Sequence, residues 1–390
     1  MGSVDHAKLR HHGDAEVRPG MVDFAVNVQG SAPPEWLRER LAARLGELGR
    51  YPDAGEEQAA REAVAARHGR RPEEVLLLAG AAEGFAMLPR LNSALAAVIH
   101  PSFTEPELAL RDAGVPVARV VLEPPYLLES AFAAATETSV VAEAGRPAVA
   151  PEQDWQLRVA GPAVAPEARA GSAPVEAGVV PEAADLVVVG NPTNPTSVLH
   201  PVQSILGLRR PGRIVVVDEA FQDAIPGETE SLAGEAYPDV LVLRSLTKTW
   251  ALAGLRCGYF LGDPEVLARL NQGRAHWPLG TLQLEAIAAT SSPEAVAESQ
   301  RKAESIAADR DAMIPRLREL GIEVHEPARG PFLLIRVPDA ELLRKRLADK
   351  GIAVRRGDTF PGLELGHLRL AVRPAGEVDR LVAAIREVGL

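Results

Sequence analysis

The residues best suited to chemistry lie in the segment SLTKTWALAGLRCGY at 245–259. Lys248 ends an apolar run, Ser245 and Thr247 stand beside it, and Arg256 follows eight residues later. A lysine withdrawn from water can act as a nucleophile or form a Schiff base, and hydroxyls beside a guanidinium suit a phosphate group. A strand-end lysine that simply extends into solvent has the same pattern, so this segment alone leaves both interpretations open.

Three other apolar runs also end in polar or small residues. RIVVVDEAF places Asp218 where a carboxylate can hold a protonated ring nitrogen, bind a metal or cap the next helix. GNPTNPTS at 190–197 presents amides at a turn, and the small residues of GAAEG at 80–84 let backbone N–H groups approach an anion. An ordinary cap or surface turn explains each of these motifs equally well when it is taken alone.

Seven apolar, β-branched runs alternate with helix-like stretches between about residues 35 and 265. This alternation predicts an α/β fold with a mostly parallel, doubly wound sheet covered by helices on both faces. Ligand sites of such sheets lie at the carboxyl ends of the strands, so an amine, a carboxylate, an amide and an anion-binding turn should meet in one crevice. Together these groups bind pyridoxal 5′-phosphate. The runs are VLLLAG (75–80), AAVIHP (96–101), VARVVLE (117–123), DLVVVGNP (185–192), RIVVVDEAF (213–221), VLVLRSLTK (240–248) and CGYFLG (257–262).

The chain divides into segments that differ in composition and in the spacing of apolar residues. We expect an N-terminal segment at 1–35, a large domain at 36–265 and a smaller α+β domain at 266–390, whose long charged helices show apolar positions at helical spacing. Residues 131–183 are rich in Ala, Pro and Glu and contain the motif PAVAPE twice. That composition is typical of low complexity and predicts a mobile surface insertion rather than a packed element.

Composition excludes several function classes. The 390 residues carry 42 Lys and Arg against 53 Asp and Glu, a net charge of −11, which gives no electrostatic footprint for nucleic acids or anionic membranes. The single cysteine, Cys257, cannot form an intrachain disulfide, and no Cys or His spacing suggests a metal site. No apolar run reaches the length of a membrane helix. We therefore expect a cytoplasmic protein without a nucleic-acid, membrane or metal partner.

On these motifs the chain resembles the class I/II aminotransferase family of fold type I pyridoxal-phosphate enzymes, in particular its histidinol-phosphate aminotransferase-like branch. NPTNPTS, VDEAF and SLTKTWALAGLRCGY carry the resemblance, with RYPDAG, GAAEG and HLRLAVRP in support. It covers nearly the whole chain except the insertion. The resemblance implies a seven-stranded large-domain sheet, pyridoxal 5′-phosphate as cofactor, a small-molecule amino-acid substrate and a homodimer.

The resemblance also implies roles at the cofactor. Lys248 would form the Schiff base and move the proton, Asp218 would pair with the pyridinium nitrogen, and Asn194 would hydrogen-bond the ring 3-oxygen. Phe103 would stack on the ring, although ordinary packing remains an alternative for it and for Tyr51. The phosphate would be held by Ser245, Thr247, Arg256, the backbone of Ala81 and Ala82, and Tyr51 of the partner subunit.

At the substrate end, Arg369 matches the arginine that binds the substrate carboxylate, and Asn27 lies where the N-terminal segment closes the site. A solvent-facing strand arginine is the alternative for Arg369. Arg355 and Arg356 are candidates for a substrate phosphate, with a solvated basic strand end as the alternative.

Two positions depart from the family pattern, with Phe221 in place of a tyrosine and Ser197 in place of a glycine. The DEAF variant, the C-terminal stretch 354–374 and the opening motifs HHGD and DFAVNVQG resemble the subgroup of cobalamin biosynthesis that includes threonine-phosphate decarboxylase. Loss of the Cα proton gives transamination, and loss of the Cα carboxylate gives CO₂. Our first hypothesis is an aminotransferase that moves an amino group from an amino acid or phosphorylated amino compound to a 2-oxo acid. Phosphothreonine decarboxylation is the alternative.

Two other functions agree less well with the sequence. A cofactor-sensing regulator on this fold would need a DNA-binding module ahead of DFAVN, and we expect no room for one in the roughly 20 residues there. A cofactor-free scaffold would be expected to lack Lys248 or Asp218, and both are present.

Overall fold

A computed structural model of the chain describes residues 2–11, 13–132 and 175–390. Its strands form one large and one small sheet. The strands within these ranges are β1 (Val22–Phe24), β2 (Val75–Leu78), β3 (Ala96–His100), β4 (Val117–Val121), β5 (Val175–Ala177), β6 (Leu186–Gly190), β7 (Ile214–Asp218), β8 (Val240–Ser245), β9 (Gly258–Leu261), β10 (Glu323–Val324), β11 (Phe332–Arg336), β12 (Ile352–Arg356) and β13 (His367–Ala371).

Helices cover both sheets. They are α1 (Gly2–Leu9), α2 (Glu35–Ala43), α3 (Ala54–His68), α4 (Ala81–Met87), α5 (Glu105–Asp112), α6 (Val202–Leu206), α7 (Pro264–Asn271), α8 (Thr281–Thr290), α9 (Pro293–Arg318), α10 (Ala340–Asp349) and α11 (Ala375–Val388). None of the described helices is long and apolar enough to cross a membrane. In the same residues no group of three His, Cys, Asp or Glu side chains could hold a metal ion.

The large sheet has the strand order β2-β9-β8-β7-β6-β3-β4-β5. All seven predicted runs form strands of this sheet. Neighbouring strands from β8 to β5 are parallel, and β9 runs antiparallel to both β8 and β2. Central strands such as β6 are buried at every residue, because apolar clusters cover both faces of the sheet. The predicted α/β fold with a mostly parallel sheet is confirmed.

An eighth strand, β5, lies at the edge of the large sheet and pairs in parallel with β4. No sequence pattern indicates this strand, because three residues inside an Ala-, Pro- and Glu-rich segment are too few to show one. The predicted insertion at 131–183 is therefore corrected at its ends. Ala131 is buried in the core, and its carbonyl accepts a hydrogen bond from the Val180 N–H at 2.9 Å. Residues 133–174 of that insertion lie outside the described residues.

The small sheet has the order β1-β12-β13-β11-β10. It packs against α9, α10 and α11 around a separate apolar cluster. Strand β1 pairs in parallel with β12, with Phe24 opposite Val354. The N-terminal segment is therefore anchored on the small sheet and continues from there toward the large one. The predicted domain boundaries near residues 35 and 265 stay predictions.

Candidate active site

A cavity of ≈ 360 Å³ opens at the carboxyl ends of β6, β7 and β8. These neighbouring parallel strands are followed by the three polar motifs singled out in the sequence. The cavity also takes in the start of α4 and residues of the small sheet. The predicted site residues that line it are Asn27, Ala81, Ala82, Phe103, Asn194, Asp218, Ser245, Thr247, Lys248, Arg256, Arg355 and Arg369.

Asp218 is the last residue of β7 and presents its carboxylate to the cavity. One carboxylate oxygen, Oδ1, accepts the Ala220 backbone N–H at 3.0 Å, so the local capping contact left open by the sequence is present. Burial raises the pKa of Asp218 to about 7, although the Ala220 N–H and the Lys248 cation oppose this shift. Because the ionised form lacks water around it, a cation brought beside this carboxylate would stabilise it. A protonated ring nitrogen fits this position.

Lys248 lies just beyond β8 on a tightly held turn. The turn is fixed by the Leu252 N–H, which donates to the Thr247 carbonyl at 3.0 Å, and by the Gln29 N–H, which donates to the Lys248 carbonyl at 2.9 Å. Trp250, two residues on, is almost fully buried. Lys248 is half-buried and lines the cavity. Its side chain therefore does not simply extend into solvent, which was the alternative interpretation of this segment.

An anion-binding turn lines the cavity at the start of α4. The first N–H groups of α4 have no partner within the helix, and the buried Ser245 and Thr247 face the same space. Gly80, just before α4, has φ +83°, and a Cβ there would lie 2.9 Å from Arg256 Nη2. The guanidinium therefore rests directly on the glycine backbone. Hydroxyls, helix N–H groups and a guanidinium together form a donor set suited to a phosphate.

Aromatic side chains form part of the cavity wall. Phe85 and Phe103 both line the cavity, with their ring centroids 5.9 Å apart. Phe221 also lines it and meets Phe332 edge to face at 5.0 Å. A flat ring between aromatic and apolar walls is well accommodated there. Phe221 has no hydroxyl group, so Asn194 is the predicted donor to a ring oxygen.

Two buried arginines stand at the substrate end. Arg355 on β12 lies directly opposite Arg369 on β13, and they are 3% and 5% exposed. Arg369 Nη1 donates to Asn194 Oδ1 at 2.9 Å, and Nη2 donates to the Ala25 carbonyl. Burial, together with the Arg355 charge, lowers the pKa of Arg369 to about 9. The alternative of a solvent-facing Arg369 is wrong, and the two like charges favour an anionic ligand.

Arg355 and Arg356 have different surroundings, because successive side chains of a strand point to opposite faces. Arg355 lines the cavity, donates to the His11 carbonyl at 2.7 Å and lies 5.0 Å from the Phe360 ring centroid. Arg356 instead donates to both oxygens of Asp358, at 2.7 and 2.6 Å, and does not line the cavity. We correct the sequence prediction by withdrawing Arg356 from the substrate set.

Tyr51 is the other predicted residue that does not line the cavity of its own chain. Its side chain is 71% exposed and stacks on the 57% exposed Trp277 at a centroid distance of 4.4 Å. The prediction that it reaches the phosphate of a partner subunit stays a prediction.

The sequence analysis missed several cavity residues. Gly13, Thr104 and Phe360 line the cavity, as do Ala25, Val26 and Val28 beside the predicted Asn27. A Cβ at Gly13 would clash with the Ala25 carbonyl oxygen, so Gly13 packs directly against the backbone of Ala25. The sequence analysis named HHGD as a motif but predicted no structural role for it. Thr104 directly follows Phe103, and this position was the one sequence feature that could have indicated it. Nothing in the sequence indicated Phe360.

Comparisons with known proteins agree on one family. The profile of the family "Aminotransferase class I and II" matches residues 19–385. A histidinol-phosphate aminotransferase of Mycobacterium tuberculosis is 52% identical over 98% of this chain and 91% of the relative. Another, from Cronobacter sakazakii, is 32% identical over 87% and 84%.

Solved structures with the same fold include proteins named for two different reactions. The histidinol-phosphate aminotransferase of Clostridium acetobutylicum has a TM-score of 0.75 at 20% identity and covers 94% of this chain and 99% of its own. The L-threonine-O-3-phosphate decarboxylase of Porphyromonas gingivalis has a TM-score of 0.71 at 19% identity, with the same coverage. At these identities the likeness concerns the fold alone, so the choice of reaction depends on the closer relatives and on the site.

Proposed function

We infer the substrates of this chain from its family: it belongs to the class I and II aminotransferases and is a pyridoxal-phosphate-dependent aminotransferase. We propose that its amino donor is a phosphorylated amino compound of the histidinol-phosphate kind and that its acceptor is a 2-oxo acid. The observation that carries the donor class is the pair of buried arginines, Arg355 and Arg369, on neighbouring strands at the cavity.

The cavity residues fit the cofactor. A buried carboxylate with a raised pKa and a guanidinium resting on Gly80 both line the cavity. When bound, pyridoxal phosphate supplies an aldehyde that takes up an amino group and a ring that draws electrons from the substrate Cα. We propose that Asp218 holds the ring nitrogen in its protonated form. The phosphate would be held by Ser245, Thr247, Arg256 and the first N–H groups of α4.

Lys248 is the proposed proton carrier. Its Nζ would take the proton from the substrate Cα as a general base and then donate it, as a general acid, to the cofactor carbon on the other side of the amino nitrogen. The hydrogen bonds that hold its turn, from Gln29 and Leu252, keep the stem of the side chain in place. Asn194 accepts from Arg369 through Oδ1, so its amide nitrogen is the group left to donate to the ring oxygen.

The arginine pair would orient the donor. A phosphate dianion can accept hydrogen bonds from two guanidinium groups at once, which offsets the mutual repulsion of Arg355 and Arg369. Because Arg369 also holds Asn194, anion binding would be directly connected to the residue that contacts the cofactor. A 2-oxo acid with a second carboxylate would use the same two cations in the return half of the reaction.

A second copy of the chain is part of the proposal. Leu45, Leu48, Tyr51 and Trp277 are large apolar side chains that are more than half exposed. Tyr51 and Trp277 stack on each other, and a contiguous exposed apolar patch is typical of an interface. We propose that a partner subunit covers Tyr51 and that its hydroxyl contacts the partner's bound phosphate. The test is the mass in solution by light scattering, together with the pyridoxal-phosphate dissociation constant of Tyr51→Phe. A monomer with unchanged cofactor affinity would contradict this part.

The experiment that tests the donor uses the holoenzyme without any keto acid. Histidinol phosphate, O-phospho-L-threonine and L-glutamate are added separately while cofactor absorbance and released CO₂ are recorded. We expect histidinol phosphate to convert the cofactor to its amino form without CO₂. Steady CO₂ release from phosphothreonine, with the aldehyde form of the cofactor retained, would overturn the proposed donor and favour the decarboxylase.

A further inference from the structure

Ser197 stands where the family pattern has glycine, and its backbone shows why glycine is favoured there. The residue has φ +66°, a left-handed conformation that L side chains rarely adopt. It is also completely buried. A serine side chain at this position must therefore make contacts that offset the conformational cost.

The contacts of Ser197 join the two sheets of the molecule. Its Oγ accepts the Gly330 N–H at 2.8 Å, and its carbonyl accepts the Arg329 N–H at 2.8 Å. Ser197 belongs to the loop after β6 of the large sheet, whereas Arg329 and Gly330 belong to the loop before β11 of the small sheet. A Cβ added at Gly330 would lie 3.1 Å from Ser197 Oγ, so the two loops are in direct contact.

The two loops carry different halves of the active site. Asn194, three residues before Ser197, belongs to the cofactor half. Phe332, two residues after Gly330, packs edge to face on Phe221 and lies 5.7 Å from the Arg369 guanidinium carbon. It therefore belongs to the substrate half. Arg310 of α9 fixes the same small-sheet loop by donating to the Arg329 carbonyl at 2.6 Å.

We propose that Ser197 is a positioning residue: its hydroxyl sets the substrate-binding arginines on the small sheet against the cofactor-binding loop of the large sheet. A glycine could adopt the same backbone without strain but would lose the 2.8 Å bond from Gly330 to Oγ, leaving the Gly330 N–H only its longer 3.3 Å contact with the carbonyl of residue 197. The serine thus has a strained backbone conformation, but its hydroxyl holds the two halves of the active site at a fixed distance. The kinetic part of this inference rests on the proposed aminotransferase function.

The test compares Ser197→Gly with Ser197→Ala. Both variants lose the hydroxyl and keep the carbonyl contact to Arg329, but only alanine retains a side chain in the left-handed conformation. We expect KM for the amino donor to rise about 3- to 10-fold in both, as the loss of one buried hydrogen bond implies, with kcat nearly unchanged. We expect Ser197→Gly to melt at a higher temperature than Ser197→Ala. The pyridoxal-phosphate dissociation constant should stay the same, because the predicted cofactor contacts of this chain other than Asn194 lie away from the altered loop.

Ser291→Ala is the matched control. Ser291 is also buried, and its hydroxyl donates to the Ile287 carbonyl at 2.8 Å within one helix. Its loss should lower the melting temperature without changing KM. Inorganic phosphate serves as a probe anion. Its calorimetric titration into the holoenzymes measures the anion affinity of the arginine pair without turnover, so a wrong donor would not invalidate the test. A KM and phosphate affinity that stay at wild-type values in both Ser197 variants, or that change equally in Ser291→Ala, would overturn the proposal.

Discussion

Arg244 Nη1 donates to Glu219 Oε2 at 3.1 Å, and each residue is the chain neighbour of a cavity residue, Ser245 and Asp218 respectively. The cavity residues face the ligand space, whereas Glu219 and Arg244 are buried behind them. Arg244 also contacts Asp223, and Glu228 accepts from it at 2.7 Å. The ends of β7 and β8 are therefore tied together from the side away from the cavity.

Removing one of the two cations from this buried cluster should be costly. Arg244→Met leaves Glu219 without its cation, whereas Asp223 and Glu228 keep Arg67 at 2.9 Å, and we expect the free energy of unfolding to fall by about 3–5 kcal/mol. Arg209→Met is the control, because the Arg209–Asp239 pair at 2.8 Å is partly exposed and should contribute at most about 1 kcal/mol. Urea unfolding of both variants measures the difference. Equal losses would show that the buried cluster is not a special support of the strand ends.

Asp218 should make the stability of the apoprotein depend on pH. An unfolded aspartate has a pKa of about 4, and burial raises the pKa in the folded chain to about 7. The folded state therefore binds the proton more tightly, so this contribution to stability is complete below pH 4 and is lost as the pH rises through 7.

Asp218→Asn removes this dependence. We expect the free energy of unfolding of the wild-type apoprotein, relative to Asp218→Asn, to fall by on the order of 4 kcal/mol between pH 4 and pH 8. Urea titrations of both apoproteins at a series of pH values give the difference directly. Parallel stability curves would contradict the raised pKa.

Gly80 is expected to tolerate no side chain because Arg256 rests on it. Gly80→Ala would place a Cβ 2.9 Å from Arg256 Nη2 at a residue with φ +83°, and we expect the pyridoxal-phosphate dissociation constant to rise about 10-fold or more as the guanidinium moves. Gly114→Ala carries the same backbone strain, at φ +79°, with nothing within 4 Å of the new Cβ. It should lose stability but keep cofactor affinity. Weakened cofactor binding in Gly114→Ala too would assign the effect to strain alone.

Arg355 and Arg356 provide a pair of adjacent substitutions with opposite expected results. Arg355→Met removes one of the paired arginines proposed to bind the donor, and we expect KM for a phosphorylated donor to rise about 10- to 100-fold, which corresponds to one charge-assisted hydrogen bond. Arg356→Met loses a contact with Asp358 outside the cavity, so KM should change by less than about 2-fold. Steady-state kinetics of both variants give the two KM values to compare. Similar KM values would remove Arg355 from the substrate site.

Local patterns explain what the sequence could predict. The large-sheet strands are continuous apolar runs, and Asp218, Asn194 and Lys248 follow such runs directly, so their meeting at one sheet edge follows from parallel strand order. Neither β5 nor Phe360 has a local signal, because their places depend on contacts between distant segments. Arg356 was wrongly included because the sequence shows two adjacent arginines, whereas strand alternation sends one of them away from the cavity.

The hydrogen bond between Val180 and Ala131 also bears on engineering of the chain. Because the Ala131 carbonyl and the Val180 N–H lie 2.9 Å apart, a reporter protein or a new pair of termini placed between these two residues would lie in a loop whose ends are held together. Lengthening such a closed loop costs only about 0.6 kcal/mol for each doubling of its length. This edge of the large sheet is therefore a suitable place to graft a fluorescent label or to permute the chain.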